Sequence, residues 1–129
     1  MLQREVADRL FAAPGTKDYG AVSVVVQLTA ERTGFHPVAR TCFRPPPNVD
    51  SALVAFRRTR PWADDLDEVR RIAQAAFAHR RKTLANSLQL AGFERQRTEE
   101  ALPAMELPAR ARAEALTPEE FVRLAELLA

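Results

Sequence analysis

Gly34-Phe35-His36-Pro37-Val38-Ala39-Arg40-Thr41-Cys42-Phe43-Arg44-Pro45-Pro46-Pro47-Asn48-Val49-Asp50-Ser51-Ala52-Leu53-Val54-Ala55-Phe56-Arg57 is the stretch on which the fold turns. Gly34 to Arg40 and Val49 to Arg57 read as two strands. In the second, Val49, Ser51, Leu53 and Ala55 fall on one face and Ala52, Val54 and Phe56 on the other, so both faces read as largely covered. Between the strands, three successive prolines each hold φ near about −65° and force Arg44 into an extended conformation. The connection is therefore stiff, and Phe43 stands at its head. A ring on a rigid loop is a ready stacking surface for an unstacked base. The plainer alternative is a ring that plugs the end of the two-strand unit.

Upstream, Glu5-Val6-Ala7-Asp8-Arg9-Leu10-Phe11 is an amphipathic stretch, stopped by Ala13-Pro14-Gly15-Thr16. It follows Met1 within a few residues and has no capping residue before it, which leads us to expect a part of a longer protein. Tyr19 to Ala30 is ambiguous. Its β-branched residues favour a strand, whereas Val22, Val25, Val26 and Thr29 fit one helical face.

Downstream the pattern turns helical, with residues 59 to 65 as the boundary. Leu66, Val69, Ile72, Ala73, Ala76 and Phe77 form one stripe of a helix that begins near Asp64 or Asp65. Leu84 and Leu88 start a second stripe, which Gly92 ends, and Thr98 is expected to cap a short third helix. In the last helix Thr117 is the cap, Pro118 the first residue, and Glu120 completes a capping box; Phe121, Leu124, Ala125 and Leu128 are its buried face.

The chain has 129 residues, of which 47% are hydrophobic and 28% charged, an ordinary globular balance. No apolar run reaches the length of about 20 residues that a membrane span needs, and no secretory signal is recognisable, so the expected location is cytoplasmic. Cys42 is the single cysteine and His36 and His79 are the two histidines, too few soft ligands for a structural zinc; no metal is expected. The net charge of +2 conceals a regional imbalance: residues 1 to 82 hold 14 Lys or Arg against 9 acids, and residues 83 to 129 hold 5 against 8. The basic region suits a phosphate-bearing partner. Within it, Arg80, Arg81 and Lys82 have the chemistry to neutralise phosphates, and Asn86, four residues past Lys82, is expected on the same side of a backbone-reading helix. Arg57, Arg58 and Arg60 extend the positive region. A solvated helix face explains the same residues, and both readings stand on residue type alone.

Three segments in order carry a resemblance: Gln3-Arg4-Glu5-Val6-Ala7-Asp8-Arg9-Leu10, Lys17-Asp18-Tyr19-Gly20-Ala21-Val22-Ser23-Val24, and Phe43-Arg44-Pro45-Pro46-Pro47-Asn48-Val49-Asp50-Ser51-Ala52. With Ala76 to Leu88 and Arg112-Ala113-Glu114-Ala115-Leu116, the chain resembles the carboxy-terminal part of the ribosomal RNA adenine N6-dimethyltransferases, in the branch that acts on small-subunit RNA. The resistance branch, acting on large-subunit RNA, shares the proline segment but not the Arg-Arg-Lys-Thr-Leu one.

The resemblance implies an α+β fragment: the last helices and a two-strand unit of a Rossmann-like methyltransferase fold (residues 1–58), a linker (59–65) and a small all-α RNA-docking domain (66–129). It also implies that Tyr19 to Ala30 is helical. Phe43 matches the family aromatic that stacks on the target adenine, and Pro45, Pro46 and Pro47 match its support. The parent enzyme uses S-adenosylmethionine to dimethylate two adjacent adenines near the 3′ end of small-subunit rRNA. Closely spaced donor-binding glycines and an Asn-Leu-Pro-Tyr type of segment are absent from this stretch, since Gly15, Gly20, Gly34 and Gly92 are scattered. The fragment is therefore expected to bind no donor and to be inactive alone. The expected partners are small-subunit rRNA, the assembling small subunit and a missing amino-terminal half. A sheet short of its central strands is also expected to expose an edge and an apolar face, through which a second copy can pair. A stand-alone RNA-binding module is the alternative. A DNA-reading helix-turn-helix over residues 66 to 91 ranks last, because the break at His79 lacks a glycine turn.

Overall fold

The computed structural model describes residues 1–61 and 64–129; Trp62 and Ala63, in the expected linker, lie outside the described residues. Strand β1 (Leu2–Gln3) leads directly into helix α1 (Arg4–Leu10), and a turn through Gly15 leads to α2 (Ala21–Thr29). The hairpin of β2 (Ala30–Val38) and β3 (Ser51–Arg58) follows, with a 3-10 turn at Arg40–Cys42 in its connection. Helices α3 (Asp64–Phe77), α4 (Leu84–Leu90), α5 (Arg95–Ala104) and α6 (Pro118–Leu128) complete the chain.

The sheet has three strands, antiparallel, in the order β1-β3-β2. This corrects the expected two-strand unit: Leu2 and Gln3 pair with Ala52 and Ser51, a ladder too short to leave a periodic signal. β2 also begins at Ala30, ahead of the expected Gly34, and a register shift between Arg32 and Gly34 accommodates the longer ladder. Pro37 is tolerated because β2 is an edge strand. Gly34 faces Ala55 across the ladder, and a Cβ there would lie 3.4 Å from that of Ala55, an ordinary contact.

Coverage of the sheet is one-sided, which corrects the expectation of two covered faces. Helix α1 packs on β3, burying Ala7 and Ala52 and bringing the Phe11 and Phe56 ring centroids to 6.4 Å. The opposite face is largely bare, with Leu53 48% exposed, and even Phe56 remains 58% exposed. Alternating apolar residues mark a strand suited to cover on both sides, but the helices of this chain are committed elsewhere.

They are committed to a second core. Val69, Ile72 and Ala76 of α3, Leu84 and Leu88 of α4, Leu102 of α5, and Phe121 and Leu124 of α6 are all buried together. Each fully buried Leu, Ile or Phe contributes on the order of 1.5–3 kcal/mol. Two residues from upstream join them, Tyr19 and Val24. Burial of Val24 is what makes α2 a helix despite its β-branched residues, whose intrinsic penalty is only tenths of a kcal/mol each. The Ser23 hydroxyl assists by accepting the Gly20 N–H at 3.1 Å and donating to the Arg9 carbonyl.

Polar groups finish the helix ends. Thr83 caps α4, and the buried Ser87 hydroxyl reaches the Ala75 and Ala76 carbonyls at the end of α3, at 2.8 and 3.0 Å. Thr117 and Glu120 form the expected capping box of α6. Thr98 does not cap. The turn at Gly92, closed by the Phe93 N–H on the Leu88 carbonyl, lets α5 start at Arg95, so Thr98 falls inside the helix and is fully buried. Its hydroxyl has no hydrogen-bond partner among the described residues.

The Tyr19 hydroxyl donates to the Leu116 carbonyl at 2.6 Å, and its ring meets Phe77 edge-on at 5.6 Å. Burial pushes this phenol above the usual tyrosine range, and the charges of Glu119 and Glu120 push the same way.

The folded chain thus holds the Tyr19 proton where the unfolded chain releases it. Above pH ~10, stability should fall by about 1.4 kcal/mol per pH unit until the folded-state phenol itself titrates. Tyr19 is the only tyrosine, so urea denaturation at several alkaline pH values should lose that slope in Tyr19→Phe. The same method should find Thr98→Val more stable than the unaltered chain by about 1 kcal/mol, because it removes an unsatisfied buried hydroxyl at constant shape.

Candidate nucleic-acid interface

Phe43 follows the Arg40–Cys42 turn and is half-buried, and its N–H donates to the Arg40 carbonyl at 3.3 Å. The turn is pinned from below: the Asp50 carboxylate accepts the Arg40 N–H at 2.9 Å, and the Asp50 carbonyl accepts the Arg4 N–H at 2.8 Å. Pro45, Pro46 and Pro47 are exposed in the loop beyond. The Arg40 end of the connection is therefore tied through Asp50 to the first turn of α1.

Beside it opens a cleft of about 500 Å³. Arg40, Asn48 and Asp50 line one wall, Lys17 and Asp18 another, and the start of α1 closes it with Arg4 and Asp8. Sequence reasoning missed this cleft. Lys17 and Asp18 lie beside the tyrosine whose burial brings them there, and no periodicity signals that.

The basic segment differs from its expected form. Residues 78 to 81 are a turn, and α4 begins only at Leu84, because Thr83 takes the cap position. The expected backbone-reading helix carrying Arg80 to Lys82 is thus corrected to a turn between α3 and α4. Arg80 is engaged within the protein: it donates to the Tyr19 carbonyl at 2.6 Å, lies 3.6 Å from the Glu114 carboxylate, and stacks over Phe77 with 5.4 Å to the ring centroid. Arg81 and Lys82 are exposed and draw no ion pair among the described residues. Asn86 accepts from the Arg95 guanidinium rather than siding with Lys82.

Arg57 pairs with Glu31 across the hairpin, and Arg58 is exposed opposite Ala30. Both lie at the far end of α2 from Tyr19, a helix of nine residues and therefore about 14 Å long. The structure consequently gathers the Phe43 loop, the cleft and the Arg80 turn toward one end of α2 and leaves Arg57 and Arg58 at the other. Among the described residues no three His, Cys, Asp or Glu side chains converge on a metal position, and no helix is long and apolar enough to cross a membrane.

A family model described as ribosomal RNA adenine dimethylase matches residues 1–129. The chain is 46% identical over 124 residues to a ribosomal RNA small subunit methyltransferase A from Rubrobacter xylanophilus, covering 96% of this chain and 47% of that protein. It is 44% identical over 131 residues to the protein of the same description from Moorella thermoacetica, covering 99% and 46%. The chain spans about half the length of the curated relatives it matches. Among solved structures, a dimethyladenosine transferase from Plasmodium falciparum superposes with a TM-score of 0.76 at 23% identity, over 95% of this chain and 53% of that one. The 23S rRNA methyltransferase ErmE does so at 0.59 and 29% identity, over 98% and 52%.

Arg80 holds the residues next to the cleft, so Arg80→Ala should loosen them. Hydrogen exchange of residues 16 to 20 should accelerate, and denaturation should register a loss of about 1 kcal/mol, moderated because the guanidinium side chain is 39% exposed.

Proposed function

The chain belongs to the ribosomal RNA adenine dimethylase family, and on that premise we propose that it is the carboxy-terminal part of an S-adenosylmethionine-dependent enzyme. The reaction is N6,N6-dimethylation of two adjacent adenines near the 3′ end of small-subunit rRNA. This chain contributes one wall of the target-base pocket and RNA-docking surface. The setting is the cytoplasm, on the assembling small subunit.

The observation that carries the reading is the mounting of Phe43, whose backbone is tied to the Arg40 turn, which Asp50 in turn anchors to α1. A base taken out of its stack loses stacking free energy, and a ring already held in place restores part of it without an ordering cost of its own. Pro45 to Pro47 keep the approach to that ring stiff. Arg81 and Lys82 are exposed in a turn and suited to the RNA backbone, where they add affinity and orientation without reading sequence.

The three strands fit the end of a Rossmann-like sheet: β1 stands at an edge, and the Leu53 face is bare, so further strands and helices have both an edge and a face to occupy. We assign residues 1–58 to that domain, 59–65 to a linker and 66–129 to the helical domain, with α2 joining the two cores through Tyr19 and Val24. In a chain by itself the same bare face offers a surface for a second copy. The glycines do not fit a donor cradle: Gly15 and Gly92 turn the chain at positive φ, Gly34 faces Ala55, and Gly20 lies beneath Arg80. Donor contacts therefore belong to the other part of the enzyme, and these residues bind, orient and shield the RNA.

Reconstitution tests this. With a separately expressed donor-binding part and under-methylated small subunits, the unaltered chain should support methylation. Phe43→Ala should slow it by about 10- to 100-fold, the equivalent of roughly 1–3 kcal/mol of stacking. Arg81→Gln with Lys82→Gln should weaken RNA binding and flatten its dependence on salt. Unaltered rates in both variants would remove these roles.

A further inference from the structure

The cleft beside Phe43 is not accounted for by stacking or by the Arg81-Lys82 turn. We propose that it is a second nucleotide site, in which Lys17 and Arg40 hold the phosphodiester adjoining the base on Phe43 and Asp18 accepts from the amine of the neighbouring base. This rests on the reading of Phe43 as a base platform.

Three features support it. The first is charge by partner. Of the acids lining the cleft, Glu5 is paired with Arg9 and Asp8 with Arg4, and the Asp50 carboxylate accepts the Arg40 N–H. Lys17 and Arg40 draw no ion pair among the described residues, so two cations are left to face a phosphate, with the Asp18 and Asp50 carboxylates beside them as acceptors. The second is spacing. Phe43 directly follows the Arg40–Cys42 turn and its N–H donates to the Arg40 carbonyl at 3.3 Å, so the two residues stand one short turn apart. A nucleotide whose base stacks on Phe43 has its backbone within reach of the long Arg40 side chain, which lines the cleft. The third is size and polarity. About 500 Å³ lies within the usual range for ligand sites, and a polar wall including Asn48 suits a splayed nucleotide, whose base is read by its edges.

The test uses the whole chain and labelled single strands of six adenylates or six uridylates, titrated at several salt concentrations. Lys17→Gln and Arg40→Gln should each lower the salt slope of hexa-adenylate binding by about 0.7, the value for one lost phosphate contact on a single strand. Arg123→Gln, on the exposed face of α6, should leave the slope unchanged. Asp18→Asn should narrow the preference for adenylate over uridylate, since uracil has no exocyclic amine. Phe43→Ala should weaken binding of both strands with the slope intact.

Slopes in the Lys17 and Arg40 variants equal to that of the unaltered chain overturn the nucleotide site, and so does failure of the unaltered chain to bind hexa-adenylate at low salt. If instead those slopes fall while Phe43→Ala binds normally, the cleft stands and the stacking role of Phe43 is the part that fails.

Discussion

The Tyr19 hydroxyl reaches the Leu116 carbonyl at 2.6 Å across 97 residues of sequence, and much of the architecture depends on that reach. The phenol is, with Val24, where the upstream half enters the helical core: its ring lies against Phe77, and Phe77 in turn lies 5.8 Å from Phe121. Arg80 then grips the carbonyl of the same residue and turns toward Glu114. A buried hydroxyl and a buried carbonyl each need a partner, and here each supplies the other's. The turn before α2, the end of α3 and the Glu114 segment are thereby set in one relative arrangement.

That arrangement places the candidate site. Lys17 and Asp18 precede Tyr19 and are presented to the cleft because Tyr19 is held below them. The other wall is fixed independently by Asp50, which ties the proline connection to α1. Rigid mounting of both walls would serve the proposed nucleotide site, since ordering a loop on binding would consume part of the affinity. The bare sheet face is the opposite case. Its apolar residues are mounted but uncovered, as fits a chain that spans about half the length of its relatives.

Much of the outline was legible in the residues. The capping box at Thr117, the stripe from Leu66 to Phe77 and the stop at Gly92 follow from local rules, in which the relevant partners lie within a few positions. The strands on either side of the triple proline were legible for the same reason. Periodicity left α2 undecided, and the family resemblance alone pointed to a helix; burial of Val24 supplies the physical cause. The short strand at Leu2, Thr98 inside α5 and the turn at Arg80 were misread or missed, because a two-residue ladder has no period and a residue type does not reveal whether it caps a helix or fills one.

The sequence by itself determined that several helices follow residue 64, where the stiff connection lies, that Phe43 stands at its head, and to which family these motifs are similar. Only the tertiary structure decided what the charged residues do. Arg80, Arg81 and Lys82 are alike in composition, yet Arg80 is spent on Tyr19, Glu114 and Phe77 while its neighbours face solvent; Arg57 and Arg58 lie away at the far end of α2. A charge is assigned its role by the groups within a few ångströms, and those groups are brought there by burial of residues such as Tyr19, far away in the chain.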